Sequence, residues 1–165
     1  MNQAMLNELY IRYHRELYLY LYSLCRDHAL SEDLLQETFL KALLSLSESH
    51  GNLRAWLYLV ARNLYFNDQK RMNRLVSAEI AQEDGAGETP LDHLLTDERT
   101  RLLYEALAQL EERKREVLQL QYFGGLSQRE IGAVLHLNPE HVRVLAYRGR
   151  RELRQWMEEH GYDIS

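Results

Sequence analysis

Five arginines lie close together near the end of the sequence, from Arg143 to Arg154, with one acid, Glu152, among them. The formal charge of the whole chain is -5, so this stretch is a local basic surface on an acidic protein. Clustered guanidinium groups are the usual chemistry for binding phosphate. A solvated helix face has the same composition, so the elements that carry the arginines must decide between the two interpretations.

These arginines lie on the second of two predicted helices joined by a short turn. Ser127 and Glu130 have the spacing of a capping box, so the first helix begins there. A three-residue turn follows, and Asn138 before Pro139 predicts the start of the second helix. This arrangement predicts a helix-turn-helix, whose second helix can lie in the major groove of DNA.

The rest of the chain has helical periodicity and no alternating strand pattern, so we expect an all-α fold. One amphipathic helix is predicted from Leu6 to Leu24, and a second begins after Ser31. A third begins after Gly51-Asn52 and ends near Leu75. Two more are predicted between Leu102 and Tyr122.

Charge divides the chain into three parts. Residues 77–98 contain seven acids and no Lys or Arg, and their centre has two glycines and a proline, which is typical of a flexible linker. A long surface loop within one domain is less favoured because such loops are uncommon. We therefore predict two small helical domains, residues 1–76 and 99–165, joined by a flexible acidic linker over 77–98, with the helix-turn-helix in the second domain.

The predicted third helix combines aromatic, amide and cationic side chains. Aromatic rings stack on bases and cations hold phosphates, so this mixture suits unpaired DNA. Alternatively, the aromatics are core and the cations complement the helix dipole, which is the interpretation we favour from this helix alone. The polar residues are Arg62, Asn63, Asn67, Lys70, Arg71 and Arg74, predicted to lie opposite Trp56, Val60 and Leu64; the aromatics are Tyr58, Tyr65 and Phe66.

Acidic residues lie early in the predicted second helix, where Glu32, Asp33 and Glu37 accompany Gln36. Acids in a first turn commonly do no more than complement the helix dipole. An exposed edge of acids and amides is also a credible docking surface for a basic partner.

Several classes of function are disfavoured by the composition. Cys25 is the only cysteine, which excludes an intramolecular disulfide and a cysteine-based zinc site, and the histidines lack metal-ligand spacing. No nucleophile has an evident base, so we expect no enzyme activity, metal or cofactor. No apolar stretch approaches the ~20 residues of a membrane span and no leader pattern is present, so we expect a cytoplasmic protein.

Four blocks in order resemble the small two-domain sigma factors of bacteria, the extracytoplasmic-function group. The blocks run from Asp33 to Ala42, from Arg54 to Leu64, from Arg115 to Leu118, and from Gly125 through the final helix. The resemblance covers nearly the whole chain except the linker. It implies a transcription initiation factor that binds core RNA polymerase and promoter DNA, often controlled by an anti-sigma factor.

The resemblance also implies a role for particular residues. The implied polymerase contacts are Asp33, Gln36 and Glu37. The implied contacts to the melted proximal element are Arg62, Asn63, Asn67, Lys70 and Arg71, beside a loop for an extruded base, Ser49, His50, Gly51 and Asn52. The implied contacts to the distal element are Glu140, His141, Arg143, Val144, Tyr147 and Arg148, with Arg150, Arg151 and Arg154 nearer phosphate.

Two positions depart from the family pattern. His136 stands where glycine is common, so we expect a non-glycine residue with positive φ in the turn. Glu111-Glu112 replaces the usual proline, so the fourth and fifth helices either join or turn by a different route.

Two other functions remain possible from the sequence. A stand-alone helix-turn-helix regulator would dimerise and bind a palindromic site without polymerase. A helical adaptor would use its surfaces for protein partners, and its basic faces would only be solvated.

Overall fold

The computed structural model describes residues 3–45, 52–78 and 98–161, which form seven α-helices and no strand. The chain divides into two compact units, residues 1–92 and 93–165. The first unit contains α1 (Gln3–Cys25), α2 (His28–Ser45) and α3 (Leu53–Ala78). The second contains α4 (Glu98–Gln109), α5 (Glu112–Tyr122), α6 (Gln128–Leu135) and α7 (Pro139–Glu159). The prediction of an all-α fold is confirmed.

The turn between α1 and α2 places the start of α2 earlier than predicted. Arg26 has a left-handed φ of 53° and ends α1, and the side chain of Asp27 then accepts the Leu30 amide at 3.1 Å. Ser31 was predicted to precede the helix. It is instead buried within the first turns, where its hydroxyl donates to the Asp27 carbonyl at 2.7 Å. The prediction was wrong because Asp27, not Ser31, caps α2.

Cys25 lies at the same turn. Its Sγ is 3.2 Å from the Ser31 hydroxyl, and burial raises the pKa of the Cys25 thiol above its usual value. The thiol is therefore a packing group held in its neutral form.

The core of the first unit is built from all three helices. It contains Leu17, Tyr20 and Leu21 from α1, Leu34, Leu35, Phe39 and Ala42 from α2, and Leu57, Tyr58 and Ala61 from α3. The apolar side predicted for α3 is wrong. Trp56, Val60 and Leu64, which were expected to face the core, are only half-buried. The sequence offers two apolar stripes on this helix, and the one containing the small Ala61 is buried against α1 and α2.

At two glycines in the second unit, neighbouring atoms lie too close to leave room for a side chain. A β-carbon at Gly132 would collide with the carbonyl oxygen of Leu137 in the turn after α6. A β-carbon at Gly149 would lie 3.1 Å from Leu118, so α5 and α7 pack tightly at this point. Larger residues at either position would displace the turn or the helix behind it.

The predicted helix-turn-helix is confirmed in its details. Ser127 and Glu130 form both hydrogen bonds of the capping box, each at 3.1 Å. His136 has a φ of 58°, and the Asn138 side chain accepts the Glu140 amide at 2.9 Å to begin α7. Helices α4 and α5 are separate, because Glu111 caps α5 by accepting the Arg113 amide at 3.0 Å.

We expect His136→Gly to raise the free energy of unfolding by about 0.5 kcal/mol, because glycine adopts the left-handed conformation without a β-carbon clash. The control is Ala133→Gly at an exposed position of α6, which should lower it by about 1 kcal/mol. Urea denaturation of both variants measures the two effects. A loss of stability in His136→Gly as large as that of the control would contradict the expectation.

Candidate nucleic-acid interface

Helix α7 separates its core residues from its basic residues. Val142, Leu145, Ala146 and Gly149 are buried within the second unit. The predicted distal-element residues all lie outside this buried set. Glu140, His141, Arg143, Tyr147, Arg148 and Arg151 are exposed, and Val144 and Arg150 are half-buried.

The basic side chains of α7 differ in their contacts with other side chains. The Arg143 guanidinium pairs with Glu140 at 3.1 Å, and the Arg151 guanidinium lies 5.9 Å from the centre of the Tyr147 ring. Arg148 has no hydrogen bond or ion pair with any other described residue. Exposed ion pairs contribute little free energy, so Arg143 can exchange Glu140 for another acceptor at small cost. This face can therefore bind phosphate through free or readily released guanidinium groups.

Helix α3 presents an exposed polar face in its second half. Asn63, Asn67 and Lys70 are exposed, and their spacing of four and three residues places them on one side of the helix. Trp56 and Val60 continue the same spacing towards the start of α3. The half-exposed indole of Trp56 and two amides thus share one surface, a combination suited to stacking on a base and reading its edge.

The other two predicted proximal-element residues flank this face. The Arg62 guanidinium lies over the Phe66 ring, 4.8 Å from its centre, and Arg71 pairs with Asp68 at 3.2 Å. The structure therefore brings Asn63, Asn67 and Lys70 together but not the whole predicted set. The regular spacing from Trp56 onward indicates this face in the sequence. It was missed because Trp56 and Val60 were predicted to lie on the opposite, apolar side of α3.

Two of the aromatics considered for base stacking are structural. Tyr58 has no exposed surface, and the Tyr65 hydroxyl donates to the Leu24 carbonyl at 3.0 Å, which ties α3 to α1. For these two rings the structural interpretation is correct.

The start of α3 is anchored by a bidentate ion pair with α1. Arg54 donates from Nε and Nη2 to the Glu16 carboxylate at 2.8 and 3.2 Å. The pair lies beside buried Tyr58, and burial, followed by the nearby Glu16 charge, raises the pKa of that phenol. This contact fixes the register of α3 and hence the direction in which its polar face points.

Of the predicted base-receiving loop, the structure describes only Asn52. Its side chain accepts the Ala55 amide at 3.0 Å and so caps α3. Ser49, His50 and Gly51 lie outside the described residues.

The acids of α2 gather around a shallow depression. Asp33, Gln36 and Glu37 line it together with Leu40, and its volume is about 450 Å³. Because α2 begins at His28, Asp33 and Glu37 lie beyond the first turn, where the helix dipole has little influence. Leu40 is 54% exposed and was missed by the sequence analysis, since periodicity cannot tell an apolar side chain left uncovered from one in the core. The depression favours the docking interpretation.

Two features are absent from the described part of the chain. No group of three or more His, Cys, Asp or Glu side chains there could hold a metal ion. No helix within it has the length and apolarity needed to cross a membrane.

Known proteins resemble the chain in both units. Residues 9–74 match the family model described as Sigma-70 region 2, and residues 100–153 match that described as Sigma-70, region 4. RNA polymerase sigma factor YlaC of Bacillus subtilis is 30% identical over 92% of this chain and 91% of its own. RNA polymerase sigma factor CarQ of Myxococcus xanthus is 34% identical over 95% of this chain and 91% of its own.

A solved structure shares the fold. It is the sigma factor RpoE in complex with the anti-sigma factor NepR from Bartonella quintana, at 21% identity and a TM-score of 0.69. The match covers 92% of this chain and 96% of that one.

The Glu16–Arg54 pair generates a test of what positions α3. We expect Glu16→Gln and Arg54→Met each to lower the free energy of unfolding of the first unit by about 1–2 kcal/mol, because each removes the bidentate ion pair between two half-buried side chains. The double variant should lose little more than one single variant. Fluorescence of Trp56 in a Trp156→Phe background reports on this unit alone.

Arg71→Met is the matched control, because it breaks an exposed pair that should contribute less than about 0.5 kcal/mol. Additive losses in the double variant would show that Glu16 and Arg54 do not act as a pair.

Proposed function

Since the chain belongs to the extracytoplasmic-function group of RNA polymerase sigma factors, which initiate transcription at particular promoters, we propose that its two units divide the work of that function. The proposed boundaries are residues 1–76 for polymerase binding and the proximal promoter element, 77–98 for the acidic linker, and 99–165 for the distal element. The observation that carries the proposal is the exposed cationic face of a capped helix-turn-helix in a chain of this family.

The second unit reads the distal element through α7. The exposed residues at the start of the helix reach base edges, with Glu140 able to accept from a cytosine amine and Arg143 able to donate to a guanine. Arg148 lies farther along the same face, and Arg150, Arg151 and Arg154 bind phosphate. Support comes from the exposure of Arg148 and Arg151 and from the ease with which Arg143 can leave Glu140.

The first unit opens the proximal element with the polar face of α3. Extruding a base costs a few kcal/mol, which stacking and amide contacts must offset. Asn63, Asn67 and Lys70 supply the amides and the charge, and Trp56 supplies a ring at the same face. Arg62 and Arg71 bind phosphate from its flanks. The loop from Ser49 to Asn52 receives the extruded base through its first three residues, because the Asn52 side chain already caps α3.

Polymerase docks on α2. Asp33 and Glu37 offer carboxylates to a basic surface, Gln36 adds an amide, and the exposed Leu40 supplies an apolar contact in the same depression. Protein interfaces typically combine apolar and charged side chains in this way.

The chain needs polymerase to hold DNA. Its formal charge of -5 disfavours binding of free protein to duplex, and such binding is weakened further by salt. Polymerase would hold both units near one promoter, which raises their effective concentration on DNA without any new contact. The stand-alone regulator is not favoured, because the similarity to sigma factors extends over both units.

Regulation and location follow from the same proposal. The related RpoE was solved with an anti-sigma factor, and we propose that this chain is also controlled by one. It acts in the cytoplasm, where polymerase works, and contributes binding without a catalytic step of its own.

Run-off transcription with core polymerase tests the division of work. We expect Arg143→Ala and Arg148→Ala to lower promoter output about tenfold, the loss of one base or phosphate contact, while polymerase binding in a pull-down stays unchanged. Asp33→Ala and Glu37→Ala should weaken polymerase binding, and excess protein should restore their output.

The matched controls are Arg101→Ala on α4 and Glu8→Ala on α1, which remove exposed charges outside the proposed surfaces. Loss of polymerase binding in the arginine variants of α7, or tight binding of the free chain to a promoter duplex, would overturn the proposed division.

A further inference from the structure

Glu152 is the only acidic residue between Arg143 and Arg154 on α7. Its carboxylate accepts from the Lys114 ammonium of α5 at 2.8 Å. The Lys114 side chain is only 20% exposed, and it makes no other hydrogen bond or ion pair with a described residue. An acid that lies among phosphate-binding arginines is thus paired with the neighbouring helix.

The pair lies next to the point where α7 crosses α5. At Gly149 a β-carbon would lie 3.1 Å from Leu118 and 3.4 Å from the Cβ of Lys114. Gly149 and Glu152 are three residues apart on α7, and Leu118 and Lys114 are four apart on α5, so the members of each set share one side of their helix. The ion pair is therefore a second contact between the two helices, about one turn beyond the first.

Packing alone holds the second half of α7 incompletely. Glycine is among the least favourable residues within a helix, because it leaves the backbone the most freedom, so α7 resists bending least at Gly149. Beyond that residue an apolar groove of about 720 Å³ lies beside α7, among α4, α5 and α7, and Leu153 and Met157 line it. Residues 150–159 therefore depend on a directional contact as well as on burial.

We propose that the Lys114–Glu152 pair positions the second half of α7, residues 150–159, so that its arginines face the DNA backbone. Arg150, Arg151 and Arg154 all lie within two residues of Glu152, so a bend at Gly149 would redirect all three. Lys114 and Glu152 are positioning residues that act through these arginines. Their role in promoter binding rests on the proposed function, whereas their hold on the helix does not.

Run-off transcription with Glu152→Gln tests this role by the sign of the effect. If the charge of Glu152 alone mattered, its removal beside the arginines would strengthen phosphate binding and raise promoter output. Because the pair positions the helix, we expect output to fall about threefold, the effect of losing a partly exposed ion pair. Polymerase binding in a pull-down should not change.

Glu158→Gln is the matched control, because it removes the same charge from an exposed position of α7 that has no partner on α5. Its output should equal or exceed that of wild type. If Glu152→Gln behaves in the same way, the proposal is wrong.

Variants of Lys114 show whether the two residues act together. Lys114→Met should lower output about as much as Glu152→Gln, and Lys114→Glu should lower it further, because two carboxylates would then meet. The exchanged pair, Lys114→Glu with Glu152→Lys, should restore the output of wild type. An exchanged pair that stays as low as Lys114→Glu would overturn the proposal.

Loss of folding is separated from loss of direction by adding excess protein. A variant that is partly unfolded should recover its output, because its folded fraction still binds polymerase. A variant with a misdirected α7 should not recover, because each bound molecule contacts the promoter more weakly. Recovery of Glu152→Gln would therefore make the pair merely stabilising and contradict the positioning role.

Trp156 reports on the helix without DNA, since its indole lines a depression together with Lys114 and Glu152. In a Trp56→Phe background, acrylamide should quench its fluorescence more strongly in Glu152→Gln than in wild type. Quenching in Glu158→Gln and in the exchanged pair should match wild type. Equal quenching in Glu152→Gln and Glu158→Gln would show that the pair does not hold the second half of α7.

The two measurements distinguish failure of this inference from failure of the proposed function. Output that responds to Arg148→Ala but not to Glu152→Gln overturns the positioning role and leaves α7 in contact with the distal element. Output that responds to neither variant overturns both, while the quenching of Trp156 still decides whether the pair holds the helix.

Discussion

The second unit depends on how closely α7 approaches the helices beneath it. Gly149 lets α7 approach Leu118 of α5, and Gly132 leaves room for the carbonyl of Leu137 in the turn. Together these contacts fix both the angle at which α7 leaves the turn and the residues that it buries. Because Val142, Leu145 and Ala146 then face inward, the arginines must face outward. The cationic surface is thus a consequence of packing and does not require any arginine to be held in place.

The first unit obtains its orientation by a different interaction. Helix α3 has two apolar stripes, so hydrophobic burial alone does not select its register. The ion pair of Arg54 with Glu16 and the hydrogen bond of Tyr65 to Leu24 fasten α3 to α1 at two points along its length. Packing against these contacts buries Leu57 and Ala61 and leaves Trp56 on the polar side. The directional contacts therefore decide which of two plausible faces can meet a ligand.

The sequence predicted those features of the fold that depend on interactions between neighbouring residues. The capping box, the left-handed His136 and the Asn138 cap follow from side chains that pair with amides two or three residues away, and the structure has all of them. The face of α3 could not be chosen in the same way, because it depends on residues some forty positions distant. The start of α2 was misplaced for a related reason. Ser31 has the chemistry of a cap, but burial against the core makes it an internal residue whose hydroxyl is satisfied by Asp27.

The candidate surfaces show the same limit. The sequence shows which residues carry charge, and in the structure Asp33, Gln36 and Glu37 line one depression. It did not predict Leu40 beside them, nor the groove beside α7, because both arise where packing stops and leaves apolar atoms uncovered. Periodicity indicates which side of a helix is apolar, whereas the exposure of that side depends on how much of it the neighbouring helices cover.

Placing the groove beside the cationic face has a consequence for how α7 can act. Arg150 and Arg151 line the groove and carry part of the positive charge of α7, so whatever covers the groove changes the potential that an approaching phosphate would encounter. Since the free chain is acidic overall, few other charges can compensate for such a change. Any binding of phosphate by the second unit would therefore depend on a small number of side chains. A positive potential that depends on few side chains is lowered by a single added negative charge, whereas a more widely distributed one would be lowered less.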